Sequence, residues 1–415
     1  MAHGSCRAFR GYVNKVWEVE TRLGALTDSR IDPVVPQGAM LNTWFWSFAR
    51  RVKSTEQVGK LLKDKRWRRR MGLRDEDGGS PDTAAEVLDQ LLLDEINELA
   101  LEQFFVARRA GILKDDGPYG LRCAIVDMNE LYCSERIHCD QCLVRHKDVG
   151  QGVNRHTIVE YHHDAVALVW AGSKMAWPVN WELLRPGEGE LTAALRLLRR
   201  LLPKLGKTLD LVLGDALYCC RPFFQLVHGY GIGALAVSSG TTEMDEEMDL
   251  LARSEQPKVG ANHVAHWAME SEAWQRDVGC KLRVTHYENR AASKSYRHKR
   301  KQLRLMTTSK IDVLPSGQGW QVGRCRWAIE NGTFNILTRD YNLEHNYHHT
   351  TTAIAMLLVL RALAYCTTQA YRLFAQARSK NAPDSFLDWW QEVLNQDWVR
   401  YLDAALSEPA PMASG

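Results

Sequence analysis

Between Leu121 and Ser239 the apolar pattern switches repeatedly between strand and helix periods, and this alternation restricts the available folds more than any other feature of the chain. "LRCAIVDMN", "HTIVEYHH" and "AVALVWAG" are short β-rich runs separated by turns. "GEGELTAALRLLRRLLPKLG" then carries Leu191, Leu195, Leu198 and Leu202 on one helical side and ends on a glycine. "TLDLVLGDALY", "RPFFQLVHGYG" and "IGALAVSS" follow as strand, short helix and strand. Three strands, helix, strand, helix, strand predict an α/β fold, a mixed sheet covered by helices.

The flanks read differently. Residues 1–115 form a helical N-terminal unit: Ser54 is a candidate N-cap with Gln57 as its capping-box partner, and Asp82 or Thr83 starts an amphipathic helix or helix pair of about 25 residues. Residues 116–240 are the first part of the alternating core. Acidic "TTEMDEEMDLLARSEQ" opens a compositional break, so 241–322 reads as a β-rich insertion. Helical pattern resumes over 323–385, where the apolar "TTAIAMLLVLRALAY" predicts a buried helix packed on the sheet. Residues 386–415 read as a last helix and a flexible tail.

Two of the most apolar runs finish in an aspartate. Asp127 follows "CAIV", and Asp215 follows "LDLVLG", where Gly214 permits close approach of backbone or ligand. An ionised carboxylate at that depth is costly unless a cation or hydrogen-bond donors answer it. Glu330 lies between Trp327 and Phe334, with Arg326 one helical turn before it, so the two read either as a structural ion pair or as a metal ligand beside a phosphate contact. Three carboxylates with basic flanks suit hard divalent cations, Mg²⁺ or Mn²⁺. Two such ions activate an attacking hydroxyl and stabilise the leaving oxygen of a phosphodiester.

A second constellation follows Asp127 directly. Cys133, Cys139, Cys142 and His146 are candidate ligands of a structural Zn²⁺, with Cys139 and Cys142 at knuckle spacing. With a single such pair present, unligated reduced cysteines are the more expected reading, ahead of structural zinc and of redox chemistry. Ten cysteines in 415 residues are too sparse for a disulfide scaffold, and "MAHGSCRAFRGYVNK" lacks the apolar core of a signal sequence, so a cytoplasmic location is expected. The apolar stretch at 353–360 is shorter than the ~20 residues of a membrane span, and no membrane association is expected.

The formal charge of +3 is unevenly spread. Seven of eleven residues are basic from Lys60 to Arg70, and seven of fifteen from Arg290 to Arg304. Lys65, Arg66, Arg68 and Arg69 in the first run, and Lys294, Arg297, Lys299, Arg300 and Lys301 in the second, are candidate phosphate contacts to double-stranded DNA. No Walker loop, dinucleotide glycine pattern or G-x-S-x-G elbow accompanies them.

In this order, "AIVDMNELYCSE", "LVLGDALY" and "RWAIENGTFN" resemble the three acid-bearing segments of IS4-type DDE transposases over roughly residues 120–370. The resemblance implies an RNase H-like core interrupted by a β insertion before the glutamate helix. It implies metal held by Asp127, Asp215 and Glu330, DNA cleavage and strand transfer at the ends of an insertion element, and self-association on element-end and target DNA. The family's signature around the last acid is Y-x2-R-x3-E-x6-K. Arg326 and Glu330 match it, but Gly323 and Leu337 stand at the Tyr and Lys positions, with Arg339 near the latter. Those departures leave two further readings open: a catalytically weak derivative that still binds DNA, and a zinc-stabilised DNA-binding protein.

Overall fold

The computed structural model describes residues 6–74, 79–113, 117–172, 174–260, 264–289, 302–327 and 329–378. Helices come first: α1 (Cys6–Tyr12), α2 (Val19–Gly24), α3 (Gln37–Ala49), α4 (Thr55–Lys63), α5 (Lys65–Met71), α6 (Pro81–Asp89) and α7 (Leu93–Arg109). Strands β1 (Cys123–Ser134), β2 (Leu143–Val149), β3 (His156–Ala171) and β4 (Ala176–Leu183) precede α8 (Glu190–Leu205). Then β5 (Leu211–Gly214), α9 (Arg221–Gly229) and β6 (Gly233–Val237) alternate. The next segment supplies α10 (Glu243–Ser254), β7 (Lys258–Val259), β8 (Val264–Ser271), α11 (Gln275–Val278), β9 (Leu282–Asn289) and β10 (Gln302–Thr307). The chain then forms α12 (Gly319–Cys325), α13 (Asn335–Tyr341) and α14 (Thr351–Arg378).

These elements divide into two compact units. The first takes the described parts of Met1–Ile112, Leu131–His162 and Ile336–Gly415. Its core is aromatic: Trp17, Trp44 and Trp46 are fully buried, and the Trp44 Nε1–H donates to the Ala84 carbonyl at 2.7 Å. Ser54 caps α4 as expected, accepting from the Gln57 amide, while the Gln57 side chain reaches back to the Lys53 N–H. The amphipathic stretch is a pair, α6 and α7; Ser80, rather than Asp82 or Thr83, caps α6 with Pro81 behind it.

Helix α14 packs on α3, α6 and α7 in this unit, whereas its apolar content predicted packing on the sheet. An apolar helix carries no address for its partner. Residues Thr351–Ala377 are long and apolar enough to cross a membrane by length and composition, but 83% of the most apolar window is buried in the protein. Its one charge near the middle, Arg361, is buried across the Phe48 and Tyr347 rings and donates to the Leu343 and His345 carbonyls.

The second unit holds Leu113–Glu130 and the described parts of His163–Asn335. Its strands run in the order β4-β3-β1-β5-β6-β10-β9-β8-β7. Strands β1, β5 and β6 are parallel, while β4 is antiparallel to β3 and β10 to β6. This is a mixed sheet with flanking helices, of the RNase H-like kind that the resemblance implied. The segment read as an insertion adds β10, β9, β8 and β7 to that same sheet through the β10–β6 ladder.

Four strands, not three, precede α8. "HTIVEYHH" and "AVALVWAG" are one continuous strand, β3, because the polar His162, His163 and Asp164 that looked like a break are buried within it. Strand β2 is mostly exposed and so shows no apolar period. Strand β4 hides behind Pro178, which pairs with Val169 where the β3–β4 register shifts on an edge strand.

The two signature departures have packing reasons. A Cβ on Gly323 would stand 2.8 Å from Leu305 Cδ1 and 3.2 Å from Leu303 Cδ2, so α12 lies on β10 at glycine distance. Leu337 is fully buried in the first unit, where a lysine ammonium would be desolvated. Arg339, beside it, pairs with Asp340 at 2.8 Å. Gly323→Tyr, which introduces the residue of the resembled signature, is expected to destabilise the fold by at least about 2 kcal/mol through overpacking; an unchanged thermal midpoint would contradict this contact.

Candidate active site

The β1–β5 ladder decides where the first two acids stand. Cys123, Ala124 and Ile125 pair in parallel with Leu211, Val212 and Leu213. Two residues further along the same register, Asp127 is level with Asp215. Side chains alternate faces along a strand, so both carboxylates leave on the face that Ile125 and Leu213 share, on strands about 4.8 Å apart. At the other end of the ladder Arg122 grips Asp210, with its amide and Nε both 2.9 Å from Oδ2. Asp127 is mid-strand rather than terminal, since β1 continues to Ser134, while Asp215 follows the last residue of β5 directly.

Gly214 admits a side chain, not a ligand. A Cβ there would lie 2.5 Å from Tyr218 Cβ and 2.6 Å from its ring, so the glycine lets the buried Tyr218 fold back over the strand end. Asp215 itself caps that short turn, accepting from the Leu217 amide at 2.8 Å.

Glu330 is the second residue of a π-helical turn, Ile329–Phe334, which starts three residues after Arg326. Such turns re-aim side chains and recur at functional sites. Phe334 seats the turn on β4 by packing its ring on Trp181, with centroids 5.8 Å apart. Arg326 sits between two acids: its Nη1 is 2.9 Å from Glu330 Oε1 and 3.6 Å from Asp127 Oδ2. The Asp127 and Arg326 side chains are 13% and 10% exposed against 49% for Glu330, so the third acid faces water while the first is sunk beneath it.

A fourth carboxylate escaped the sequence reading. Glu190 is the first residue of α8 and accepts from the Tyr218 hydroxyl at 2.7 Å. A glutamate at a helix N-terminus is ordinarily a dipole-matching surface residue, and nothing in "RPGEGE" distinguishes this one. Its signal is spatial. Burial raises the Glu190 carboxyl above its ordinary value; the Tyr218 bond lowers it, and the nearby charges of Asp215 and Asp164 raise it further. Burial also drives the Tyr218 phenol far up, with Glu190, Asp127 and Asp215 adding to the rise.

Burial pushes Asp127 up to about 7; the Met128 amide and Arg326 pull it down, and the Glu190 and Glu330 charges add to the rise. Asp127 and Glu330 thus share Arg326, while Glu190 lies within electrostatic reach of both Asp127 and Asp215. An all-oxygen donor set with surplus negative charge fits a hard divalent cation and not a soft one.

The remaining predicted residues behave unevenly. Cys139 and Cys142 come together with sulfurs 3.8 Å apart, but their neighbour in the helical unit is His349, whose Nε2 is 3.2 Å from Cys142 Sγ. Cys133 and His146 are exposed and lie outside that cluster. Burial holds the Cys142 thiol up at about 11 and lowers His349 from its ordinary value. On α5, Lys65, Arg66 and Arg69 are exposed. Arg68 is not: it is 8% exposed and donates to the Arg74 carbonyl at 2.5 Å, so as a phosphate contact it is corrected to a structural role. Trp67 is a core residue beneath Arg50. Lys294, Arg297, Lys299, Arg300 and Lys301 lie outside the described residues; Arg304, at the end of that run, is taken up by Asp245 and Asp249.

The Asp127 shift has a consequence for stability. Its folded carboxyl binds a proton more tightly than the unfolded one, so its contribution is fully present below about pH 4 and is lost as pH rises through about 7. At ~1.4 kcal/mol per tenfold change in proton affinity, the loss is at most about 4 kcal/mol. In EDTA, Asp127→Asn is therefore expected to gain stability relative to wild type between pH 5 and 8, in denaturant titrations at each pH. A difference that does not change with pH would contradict the burial of this group.

A comparison with curated proteins finds no match. Residues 184–367 match the family model described as Transposase DDE domain, a stretch that begins beyond Asp127 and contains Glu190, Asp215, Arg326 and Glu330.

Proposed function

We propose that this chain is an IS4-type DDE transposase that cleaves double-stranded DNA at the ends of its own insertion element and transfers the freed strand to target DNA, using Mg²⁺ or Mn²⁺. The observation that carries this reading is Arg326 standing between Asp127 and Glu330, in the unit where the strand register brings Asp215 level with Asp127. The transposase DDE domain match over 184–367 supports it.

On this reading Asp127, Asp215 and Glu330 hold the metal, and Glu190 stands beside them as an additional acid held by Tyr218. Bound divalent ions supply Lewis-acid stabilisation of the attacking and leaving oxygens of the phosphodiester. The chain's own groups do the rest. Buried Asp127, whose carboxyl burial raises, would be held ionised by a cation bound beside it. Arg326 holds the Asp127 and Glu330 carboxylates apart in the free protein and offers its remaining N–H groups to a phosphate oxygen. The buried Tyr218 fixes Glu190 and walls the strand end against water. Exposed Lys65, Arg66 and Arg69 supply sequence-independent phosphate contacts. Synapsis of two element ends calls for self-association on DNA, in the DNA-containing compartment.

The departures at Gly323 and Leu337 favour a specific second reading, a derivative that binds element ends but cuts them poorly. Incubation of the full-length protein with a plasmid carrying its element ends separates the two. Metal-dependent cleavage is expected, falling at least about a hundredfold in D127N, D215N or E330Q with fold and DNA binding retained. Binding without cleavage in either metal would favour the weak derivative, and cleavage that survives all three substitutions would sink the assignment. In the same assay E190Q is expected to raise the Mn²⁺ concentration needed for half-maximal cleavage severalfold, while leaving DNA affinity unchanged.

A further inference from the structure

The helical unit contains a second donor cluster, of different chemistry, that the proposed function leaves unused. The turn between β1 and β2 carries Cys139 and Cys142, and the chain returns to it at His349, two residues before α14. The three ligand atoms lie within 4.8 Å of one another, with Sγ–Sγ at 3.8 Å and Sγ–Nε2 at 3.2 Å. A tetrahedral zinc ion with Zn–S of ~2.3 Å and Zn–N of ~2.0 Å sets its ligands about 3.8 Å and about 3.5 Å apart respectively. The observed spacings match that edge-to-edge geometry. They do not match a disulfide, whose sulfurs stand at about 2.05 Å.

The backbone is arranged for the same purpose. The Cys139 N–H donates to Cys142 Sγ at 3.3 Å, and the Cys142 N–H donates to the Cys139 carbonyl at 3.1 Å. This closed turn aims both sulfurs to one side, and an amide donor on sulfur favours the thiolate that a metal requires. The Tyr132 ring stands edge-on to His349, with centroids 5.1 Å apart, and fixes the imidazole plane. Thiolates with imidazole select a borderline-soft ion and not Mg²⁺.

We propose that Cys139, Cys142 and His349 are three of the ligands of a structural zinc ion that fastens the β1–β2 turn to the segment entering α14. The ligand set differs from the sequence-derived one, in which Cys133 and His146 accompanied the two cysteines. The ion joins segments more than two hundred residues apart in sequence, so its loss frees the approach to α14.

Metal analysis of full-length protein purified without added metal tests this. About one zinc per chain is expected in wild type, C133S and H146A, falling below about a tenth in C139S/C142S and at least severalfold in H349A. Should the double variant fail to fold, X-ray absorption of the wild-type zinc and the spectrum of the Co²⁺-substituted protein decide the matter: two sulfur neighbours and a thiolate-to-cobalt charge-transfer band are expected. Zinc-free wild type, zinc retained in H349A, zinc lost in C133S or H146A, or an absorption spectrum without sulfur would each overturn the site.

Discussion

The parallel register between β1 and β5 is the constraint on which the candidate active site depends. Arg122 and Asp210 lock it at one end through paired charged hydrogen bonds, and Asp127 and Asp215 come level at the other. A slip of one residue would turn Asp127 to the opposite face of the sheet. Because Cys123–Val126 of β1 and all of β5 are buried, such a slip would also expose core side chains. Sheet stability and carboxylate convergence are therefore enforced by the same ladder.

Around that ladder the electrostatics are under tension. Two acids, Asp127 and Glu330, share Arg326, and burial is the largest cause of the rise of Asp127 to about 7. Removing a charge from water costs several kcal/mol unless it is answered. Glu330, which pairs with Arg326, is carried by a π-helical turn seated on β4 through Phe334 and Trp181. The third acid remains half exposed, so the arrangement is open on the side from which a cation and a phosphate would arrive.

Much of this was legible in the sequence, for identifiable reasons. The helix–strand alternation from Leu191 to Val237 was readable because its elements are either amphipathic or fully buried. The i,i+4 spacing of Arg326 and Glu330 placed them on one face, where they pair at 2.9 Å, as one of the two readings of that spacing. Strands β2 and β4 were not readable, one because solvent covers it and the other because a proline and a register shift interrupt it. The partner of α14 is a tertiary property that an apolar helix does not encode locally. Glu190 and His349 share a different difficulty: each is an ordinary residue in its own neighbourhood, and only the return of the chain gives it chemical company. Arg68 is the converse, a basic residue in a basic run that folding turns inward.

Anomalous diffraction from crystals grown with Mn²⁺ tests the central claim most directly. Peaks between the Asp127 and Asp215 carboxylates, with Glu330 swung from Arg326 to the ion, are predicted. Manganese bound elsewhere on the chain while Arg326 still bridges Asp127 and Glu330 would contradict it.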